Sequence, residues 1–307
     1  MQDMHKKKTF IFPDNIEGLE FKGSKPSKGS MTVNKDGKVA MAITNGKYCV
    51  TKGFEDDDVT IKEDDGKCKL PGYNLGDIVY YNPNEAKVCT EAEWNDNADK
   101  NEKTGCMRWY VYALNGSIPK LILDHNTTNS VAWNESGSND DYVTLKTQLT
   151  ADTTNWKVKA DIITLEELAN LIPYYQNLSP SEKELFLNPT EENTSVIDGY
   201  FEYLDTFFEE VCSKPENLAI CESGDMYAKV ELLASQPNSP MLPTYMFMDM
   251  KAVCLNGEEC PTYGYWTKTA YALNSNGAWA VYLYGDVVDT VVDDVASGLR
   301  PVITLSK

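Results

Sequence analysis

Histidine and arginine are almost absent from the sequence. Histidine occurs only at His5 and His125, and arginine only at Arg108 and Arg300. Because histidine is a preferred zinc ligand and the cysteines form no C-x-x-C pair, the usual zinc sites are hard to assemble. No G-x-S-x-G or H-E-x-x-H motif occurs either. These absences argue against a zinc enzyme or a serine hydrolase, and we do not expect an enzyme.

Positive charge is also scarce. The chain carries 28 Lys and Arg against 47 Asp and Glu, which gives a formal net charge of -19. Acidic residues cluster at 55–58, 63–65 and 286–294. A field of this sign repels a phosphate backbone and an anionic lipid surface, so we exclude nucleic acid and such membrane surfaces as partners. We interpret the acidic clusters as solvated faces.

Long apolar runs are missing as well. No stretch of about 18 apolar residues occurs, and residues 1–8 are too polar for a signal peptide. We therefore expect that a targeting segment has been removed and that the chain is a soluble ectodomain.

Cysteine, in contrast, is plentiful and even in number. The eight residues fall into four consecutive close pairs, and each loop that such a bond closes is stabilised by roughly 2–4 kcal/mol. This usage predicts an oxidising compartment outside the cytoplasm, although some of the cysteines remain open to interpretation as free buried thiols. The predicted disulfide pairs are Cys49 with Cys68, Cys89 with Cys106, Cys212 with Cys221, and Cys254 with Cys260.

Residues 1–70 predict a small, separate β unit. Two alternating runs, 31–33 and 38–43, flank the turn signal Asp36-Gly37, which predicts a β-hairpin. A second turn at Asn45-Gly46 leads into a further strand. Leu70-Pro71-Gly72 marks a domain boundary.

Residues 72–307 predict an α+β domain that begins and ends in strands. Apolar runs at 77–81, 107–114, 118–123, 278–284 and 298–305 predict strands, and residues 94–105 predict a polar loop. Capping signals predict helices that begin at Thr164, with Glu167 as its partner, and at Ser179. An apolar stripe that includes Phe208 predicts a third helix over 195–211. The first and last strands are expected to share one sheet.

Two stretches resemble known families. Residues 30–43, followed by 45–49, resemble the region behind the membrane helix in type IV pilin-like proteins of low-GC gut bacteria. The hydrophobic N-terminal helix of those proteins is absent here. The resemblance implies a cell-surface or pilus location, other pilin subunits as partners through the missing helix, and membrane contact only through that helix.

The second resemblance spans about residues 72–307. The segments 121–128, 131–133, 161–168, 264–267 and 298–303 are similar to a C-terminal module with the fold of C-type lectins and formylglycine-generating enzymes. In that fold the arginine at the position of Arg300 is structural, and we expect both Arg300 and Arg108 to pair with buried carboxylates. The resemblance implies adhesion or ligand binding, with a glycan or a host or environmental protein as the ligand.

The same fold includes the variable proteins of diversity-generating retroelements, whose binding surface lies shortly before the C-terminus. The corresponding segment here is rich in side chains that suit adaptable contacts. Period-two spacing predicts that Trp266 and Trp279 belong to the core and that the tyrosines are exposed. The predicted ligand-binding residues are Tyr263, Tyr271, Asn274, Asn276, Tyr282, Tyr284 and Asp286.

Other constellations are interpreted as structural. His125 lies in a turn without an accompanying nucleophile, and Cys254 with Cys260 reads as a disulfide-closed loop rather than the oxidative pair of the enzymes. The alternating oxygen side chains from Asn95 to Asn101 lack the glycine and the glutamate of a calcium loop. We predict no catalytic residue, no cofactor and no metal, while calcium held by separated loops stays open. The alternatives are a purely structural filament subunit, a variable retroelement protein and a formylglycine-type enzyme.

Overall fold

The computed structural model describes the strands of residues 28–63 and most of the chain after them. The described ranges are 28–33, 39–44, 48–52, 59–63, 73–97, 103–115, 118–223, 225–247, 264–282, 285–295 and 297–305. The chain divides into two compact units, Met1–Gly72 and Tyr73–Lys307. Helices and sheets are both present, so the protein belongs to the α+β class.

The first unit contains a four-stranded antiparallel sheet in chain order. Its strands are β1 (Lys28–Val33), β2 (Val39–Thr44), β3 (Tyr48–Lys52) and β4 (Val59–Glu63). The predicted hairpin is confirmed, since Val33 pairs with Val39 across Asp36-Gly37. β4 was not predicted, because its apolar residues alternate inside a segment that the acidic residues dominate.

The second unit contains a six-stranded sheet whose paired strands are all antiparallel. Its strands are β5 (Ile78–Asn82), β6 (Lys87–Val88), β7 (Met107–Asn115), β8 (Ile118–Leu123), β9 (Ala160–Ile162) and β14 (Pro301–Thr304), in the order β6-β5-β7-β8-β14-β9. The last strand lies between β8 and β9. The first and last strands of this unit therefore share one sheet, as predicted.

A second sheet of four strands carries the two predicted core tryptophans. It consists of β10 (Gly264–Ala270), β11 (Gly277–Val281), β12 (Val287–Val291) and β13 (Ser297–Gly298), in the order β12-β11-β10-β13. Trp266 and Trp279 are fully buried. The indole of Trp266 donates to the carbonyl of Val131 at 2.7 Å, which satisfies its polar atom inside the core.

The helices of the second unit connect its strands and cover its two sheets. They are α1 (Glu91–Asp96), α2 (Val143–Asp152), α3 (Leu165–Ala169), α4 (Pro173–Gln176), α5 (Pro180–Leu187), α6 (Ser195–Cys212), α7 (Leu218–Cys221) and α8 (Met226–Ala234), with a 3₁₀ turn at Thr244–Met246. The capping boxes at Thr164 and Ser179 are confirmed. The polar loop predicted from residue 94 is wrong at its start, because α1 extends to Asp96.

The apolar stripe of α6 is buried or half-buried except at Phe208. Ile197, Tyr200, Phe207 and Val211 lie in the core, but Phe208 is 42% exposed. The prediction that Phe208 belongs to the buried face is therefore wrong. A helix turns 100° per residue, so Phe208 lies at the edge of the stripe that its neighbour Phe207 occupies.

Two of the four predicted disulfides are present. Cys89 bonds with Cys106 and Cys212 bonds with Cys221, at Cα separations of 6.1 and 5.7 Å. The pairs Cys49–Cys68 and Cys254–Cys260 involve residues outside the described ranges. Disulfides of this kind fit a location outside the cytoplasm. None of the helices within the described ranges has the length and hydropathy needed to cross a bilayer.

The two arginines have different partners. Arg108 pairs with a buried carboxylate, since its Nε lies 2.7 Å from Oδ2 of Asp124, which is 5% exposed. Arg300 is fully buried, and its guanidinium donates to the main-chain carbonyls of Leu123, Tyr245 and Met246. No carboxylate among the described residues forms an ion pair with Arg300, so the predicted carboxylate partner is wrong there. Arg300 instead holds the 3₁₀ turn against the end of β8.

Candidate functional site

The predicted ligand-binding residues that the structure describes do not lie together, because four of them fall in two separate turns. Asn274 and Asn276 lie in the turn between β10 and β11, whereas Tyr282 and Asp286 lie in the turn that follows β11. The five residues of β11 separate the two turns by about 17 Å. Tyr263 and Tyr284 lie outside the described residues.

Tyr271 is a core residue rather than a surface tyrosine. It is 9% exposed, and its ring packs edge-on against Trp279 with the ring centroids 5.1 Å apart. Its main-chain amide donates to the carbonyl of Gly277 at 2.9 Å across the start of the turn. The predicted exposure of Tyr271 is therefore wrong, whereas Tyr282 is 41% exposed, as expected.

The turn between β10 and β11 is held from outside by one side chain. The amide Nδ2 of Asn139 donates to the carbonyls of Tyr271, Asn274 and Gly277 at 2.9, 2.7 and 2.9 Å. The main-chain amide of Asn139 also donates to the carbonyl of Ser275 at 2.9 Å. Asn139 thus sets the path of this turn through main-chain contacts, and no sequence pattern identifies it.

A large depression of the second unit lies where β8, β9 and β14 meet α3, and we call it the lysine cleft. Its volume is about 860 Å³, and Tyr112 lies on its floor. It collects four ammonium groups, which is notable in a protein with so much negative charge. The charged side chains of the cleft are Lys120, Lys157, Lys159, Lys268, Asp161, Glu166 and Glu167.

Glu167 organises one wall of the lysine cleft. Its Oε1 accepts from Nζ of Lys120 at 2.6 Å and from the hydroxyl of Tyr112 at 3.3 Å. Its Oε2 accepts from the main-chain amide of Thr164 at 3.0 Å and from the Thr164 hydroxyl. Burial by itself raises the pKa of Glu167, but the hydrogen bonds from Lys120 and Thr164 outweigh burial and lower that pKa below its ordinary value.

The lysines of the cleft differ in their partners. Nζ of Lys268 lies 2.7 Å from Oδ2 of Asp161, so this charge is matched. Lys157 and Lys159 are exposed, and neither forms an ion pair with a residue in the described ranges. The main-chain amide of Lys157 donates to the carbonyl of Pro83 at 2.8 Å, which fixes this segment beside the cleft. Two ammonium groups are therefore available to a ligand.

The sequence contained weak signals for this cleft. Lys157-Val158-Lys159 alternates ahead of a short strand, and Glu167 was identified only as a helix cap. Lys120 and Lys268 lie on different sheets, so their approach depends on the tertiary fold. Sequence spacing could not bring these four lysines together.

A second depression lies between α6, α8 and the turn before β12, and we call it the Asp286 groove. Its volume is about 370 Å³. Apolar side chains of two helices form its walls, and the side chain of Asp286 contributes a carboxyl group. These apolar wall residues include Phe201, Leu204, Phe207 and Phe208 of α6 and Val230 and Leu233 of α8.

Asp286 is unusual for a predicted surface residue. Its Oδ1 is buried and has no hydrogen-bond partner. Burial raises the pKa of this carboxyl group, and the hydrogen bond from its own main-chain amide offsets that effect only in part. Asp286 was predicted to lie with Tyr282 on an exposed ligand-binding surface. Its side chain instead lines an apolar groove.

His125 takes part in a small charged cluster. Its Nδ1 contacts Oδ1 of Asp124, the carboxylate that also pairs with Arg108. Its Nε2 is buried without a partner. The carboxylate of Asp124 thus orients His125. Neither of the two cavities is lined by this cluster.

Within the described ranges, no group of three or more His, Cys, Asp or Glu side chains is placed to hold a metal ion. The predicted oxygen-rich segment from Asn95 to Asn101 is described only as far as Asn97. Comparison with protein-family models, curated proteins and solved structures finds no significant match to the chain.

Proposed function

We propose that Tyr73–Lys307 is a C-type-lectin-like, ligand-binding unit displayed outside the cytoplasm, and that its lysine cleft binds an acidic saccharide. The unmatched ammonium groups of Lys157 and Lys159 are the observation that carries this proposal. Charge-assisted hydrogen bonds from ammonium groups to carboxylates are about twice as strong as neutral ones. An acidic sugar offers such carboxylates.

The other polar groups of the cleft suit the hydroxyls of a sugar. Asp161 and Glu166 offer carboxylate acceptors, and Asn170 offers both a donor and an acceptor. Glu167 is already saturated by Lys120, Tyr112 and Thr164, so it keeps the wall rigid rather than binding ligand. A rigid wall lowers the entropy that binding would otherwise lose.

The volume and the charge balance point to a saccharide rather than to a polyanion. Four lysines face three carboxylates in a cleft of about 860 Å³. This size accommodates a small ligand of one or a few rings. The protein's net charge of -19 would repel a long anionic polymer outside the cleft.

The first unit supplies the means of display in this proposal. Its four-stranded sheet includes strands from the segment, residues 30–49, that resembles type IV pilin-like proteins, and the two disulfides of the second unit fit the same compartment. The first residues of the precursor test this part. A hydrophobic helix behind a short basic leader supports pilus or surface anchoring, and its absence removes that part of the proposal.

Calorimetric titration tests the cleft. An oligogalacturonide should bind the purified protein, while the neutral galactose oligomer of equal length should bind at least about tenfold more weakly, since charge-assisted bonds are lost. The double variant Lys157→Ala/Lys159→Ala should lose that preference. The control variant Lys146→Ala/Lys214→Ala removes two exposed lysines outside the cleft and should keep it.

Three results contradict the acidic-saccharide proposal. The first is equal binding of acidic and neutral oligomers by the unmodified protein. The second is an equal loss of affinity in the cleft variant and in the control variant, which would assign the effect to net charge. The third is failure of the protein to bind either oligomer.

A further inference from the structure

The Asp286 groove combines an apolar wall with a carboxyl group that has no partner. Exposed aromatic and aliphatic side chains are common singly, but here Phe208 and Leu204 continue into the buried Phe207 and Val230 to form a concave surface. A cavity of about 370 Å³ falls within the range of sites for small organic ligands.

The carboxyl group of Asp286 specifies the charge of an occupant. No described lysine or arginine forms an ion pair with it, and Oδ1 has no hydrogen-bond donor. A buried carboxylate without a partner is costly, and a cation beside it removes most of that cost. Among the described residues, the carboxyl group of Asp286 therefore has no cation paired with it, although Lys229 also lines the groove.

The apolar walls specify the rest of the occupant. The ring of Phe208 is 42% exposed, and the ring of Phe201 lines the same groove. An aromatic ring attracts an ammonium group over its face and also buries apolar carbons. We propose that the Asp286 groove binds an organic ammonium ion that carries an apolar chain or ring, with its charge against Asp286 and its carbons against α6 and α8.

Three other titratable groups border this site. Asp205 of α6 lines the groove and is exposed, and Lys229 of α8 lines it without an ion pair to a described residue. The hydroxyl of Tyr200 lies behind the groove, where burial raises its pKa, so it stays protonated. Of the two carboxyl groups in the groove, Asp286 is the one with a buried oxygen, and burial raises its pKa above the ordinary value.

A matched pair of probes separates charge from apolar contact. Phenylbutylammonium chloride and phenylbutanol share the same carbon body, and binding of each to the full chain is followed by chemical-shift changes in NMR spectra. The ammonium ion should bind about tenfold more tightly or better, because only it forms a charge-assisted bond. In Asp286→Asn the two probes should bind equally.

Two control variants identify the carboxylate responsible. Asp205→Asn removes an exposed charge at the rim and should keep most of the preference for the ammonium ion. Lys229→Gln removes a competing cation and should leave the affinity unchanged or raise it. Affinity of the unmodified protein for the ammonium ion should fall as pH is lowered from about 7 to 4, since Asp286 becomes protonated, whereas Asp286→Asn should show little change.

The inference is overturned by any of four outcomes. Three of them are equal binding of the two probes to the unmodified protein, a preference that survives in Asp286→Asn, and chemical-shift changes that map to the lysine cleft rather than to α6 and α8. The fourth is absence of binding by both probes at millimolar concentration. Because Asp286→Asn removes a charge that opposes folding, a folded variant is expected, and its spectrum verifies this.

Discussion

The two depressions of the second unit differ in how fully their buried carboxyl groups are hydrogen-bonded. In the lysine cleft, Glu167 accepts hydrogen bonds from Lys120, Tyr112 and Thr164. In the Asp286 groove, the carboxyl group of Asp286 has one buried oxygen without a donor. The carboxylate of Glu167 therefore stabilises the fold. The carboxylate of Asp286 destabilises it and remains able to attract a cationic ligand.

The pKa shifts express this difference. The pKa of Glu167 lies below its ordinary value, so its stabilising effect is present above the unfolded-state pKa and is lost as pH falls through the folded-state pKa. The pKa of Asp286 lies above its ordinary value, so its contribution is most favourable below the unfolded-state pKa and is lost as pH rises through the folded-state pKa. One fold thus holds two carboxylates with opposite linkage to pH.

Removal of Glu167 should give the largest effect. We expect Glu167→Ala to lower the free energy of unfolding by about 2 kcal/mol, because it deletes a helix cap and leaves Lys120 and Tyr112 without their acceptor. Urea denaturation at neutral pH measures this change. Glu166→Ala is the control, since Glu166 is exposed in the same cleft, and it should change stability by less than about 0.5 kcal/mol. Equal effects of the two variants would contradict the role of Glu167.

Neutralising Asp286 should have a smaller effect of the opposite sign. We expect Asp286→Asn to raise the free energy of unfolding by about 1 kcal/mol at neutral pH, because a buried and unpartnered charge is removed. The same denaturation experiment measures it, with Asp205→Asn as the exposed control. A destabilised Asp286→Asn protein would show that this carboxylate has a stabilising partner after all.

The pH dependence sharpens the contrast further. Relative to the unmodified protein, the gain in Asp286→Asn should grow as pH rises from about 4 toward 7, and the loss in Glu167→Gln should shrink as pH falls below about 4.5. Melting temperatures across this range test both directions. If the two variants shift in the same direction with pH, the opposed linkage is wrong.

Lys157 and Lys159, which form no ion pair with a described residue, should contribute least to the free energy of unfolding. Lys157→Ala/Lys159→Ala should change the free energy of unfolding by less than about 0.5 kcal/mol, because exposed charges without partners stabilise little. Ligand affinity in the lysine cleft should nevertheless fall severalfold when ionic strength rises from about 0.05 to 0.5 M. A marked loss of stability in this variant would assign the two lysines a structural role instead.

Local signals predicted the elements that depend on neighbouring residues. The capping boxes at Thr164 and Ser179, the hairpin at Asp36-Gly37 and the stripe of α6 all follow from short-range hydrogen bonding or periodicity. The box at Thr90 with Glu93 carries the same signal, but α1 was not predicted, and its last residues were assigned to the polar loop at 94–105. Helix α2 has no capping hydrogen bond, and it was not predicted.

The candidate sites depend on contacts that periodicity does not contain. Alternation along β11 predicts the burial of Trp279, but it says nothing about Tyr271, which the turn directs back against that tryptophan. Arg300 lies between β13 and β14, and its partners are carbonyls that are distant in sequence. Long-range pairings of this kind decide where the cleft and the groove lie.

Asn139 has a consequence for how the turn after β10 can vary. Because Asn139 grips carbonyl oxygens, the route of the backbone there depends little on the side chain that Ser275 presents. Natural selection or protein engineering could therefore replace the side chain of Ser275 by a chemically different one while the backbone of the turn keeps its path. Such a position suits the display of diverse groups on an unchanged frame.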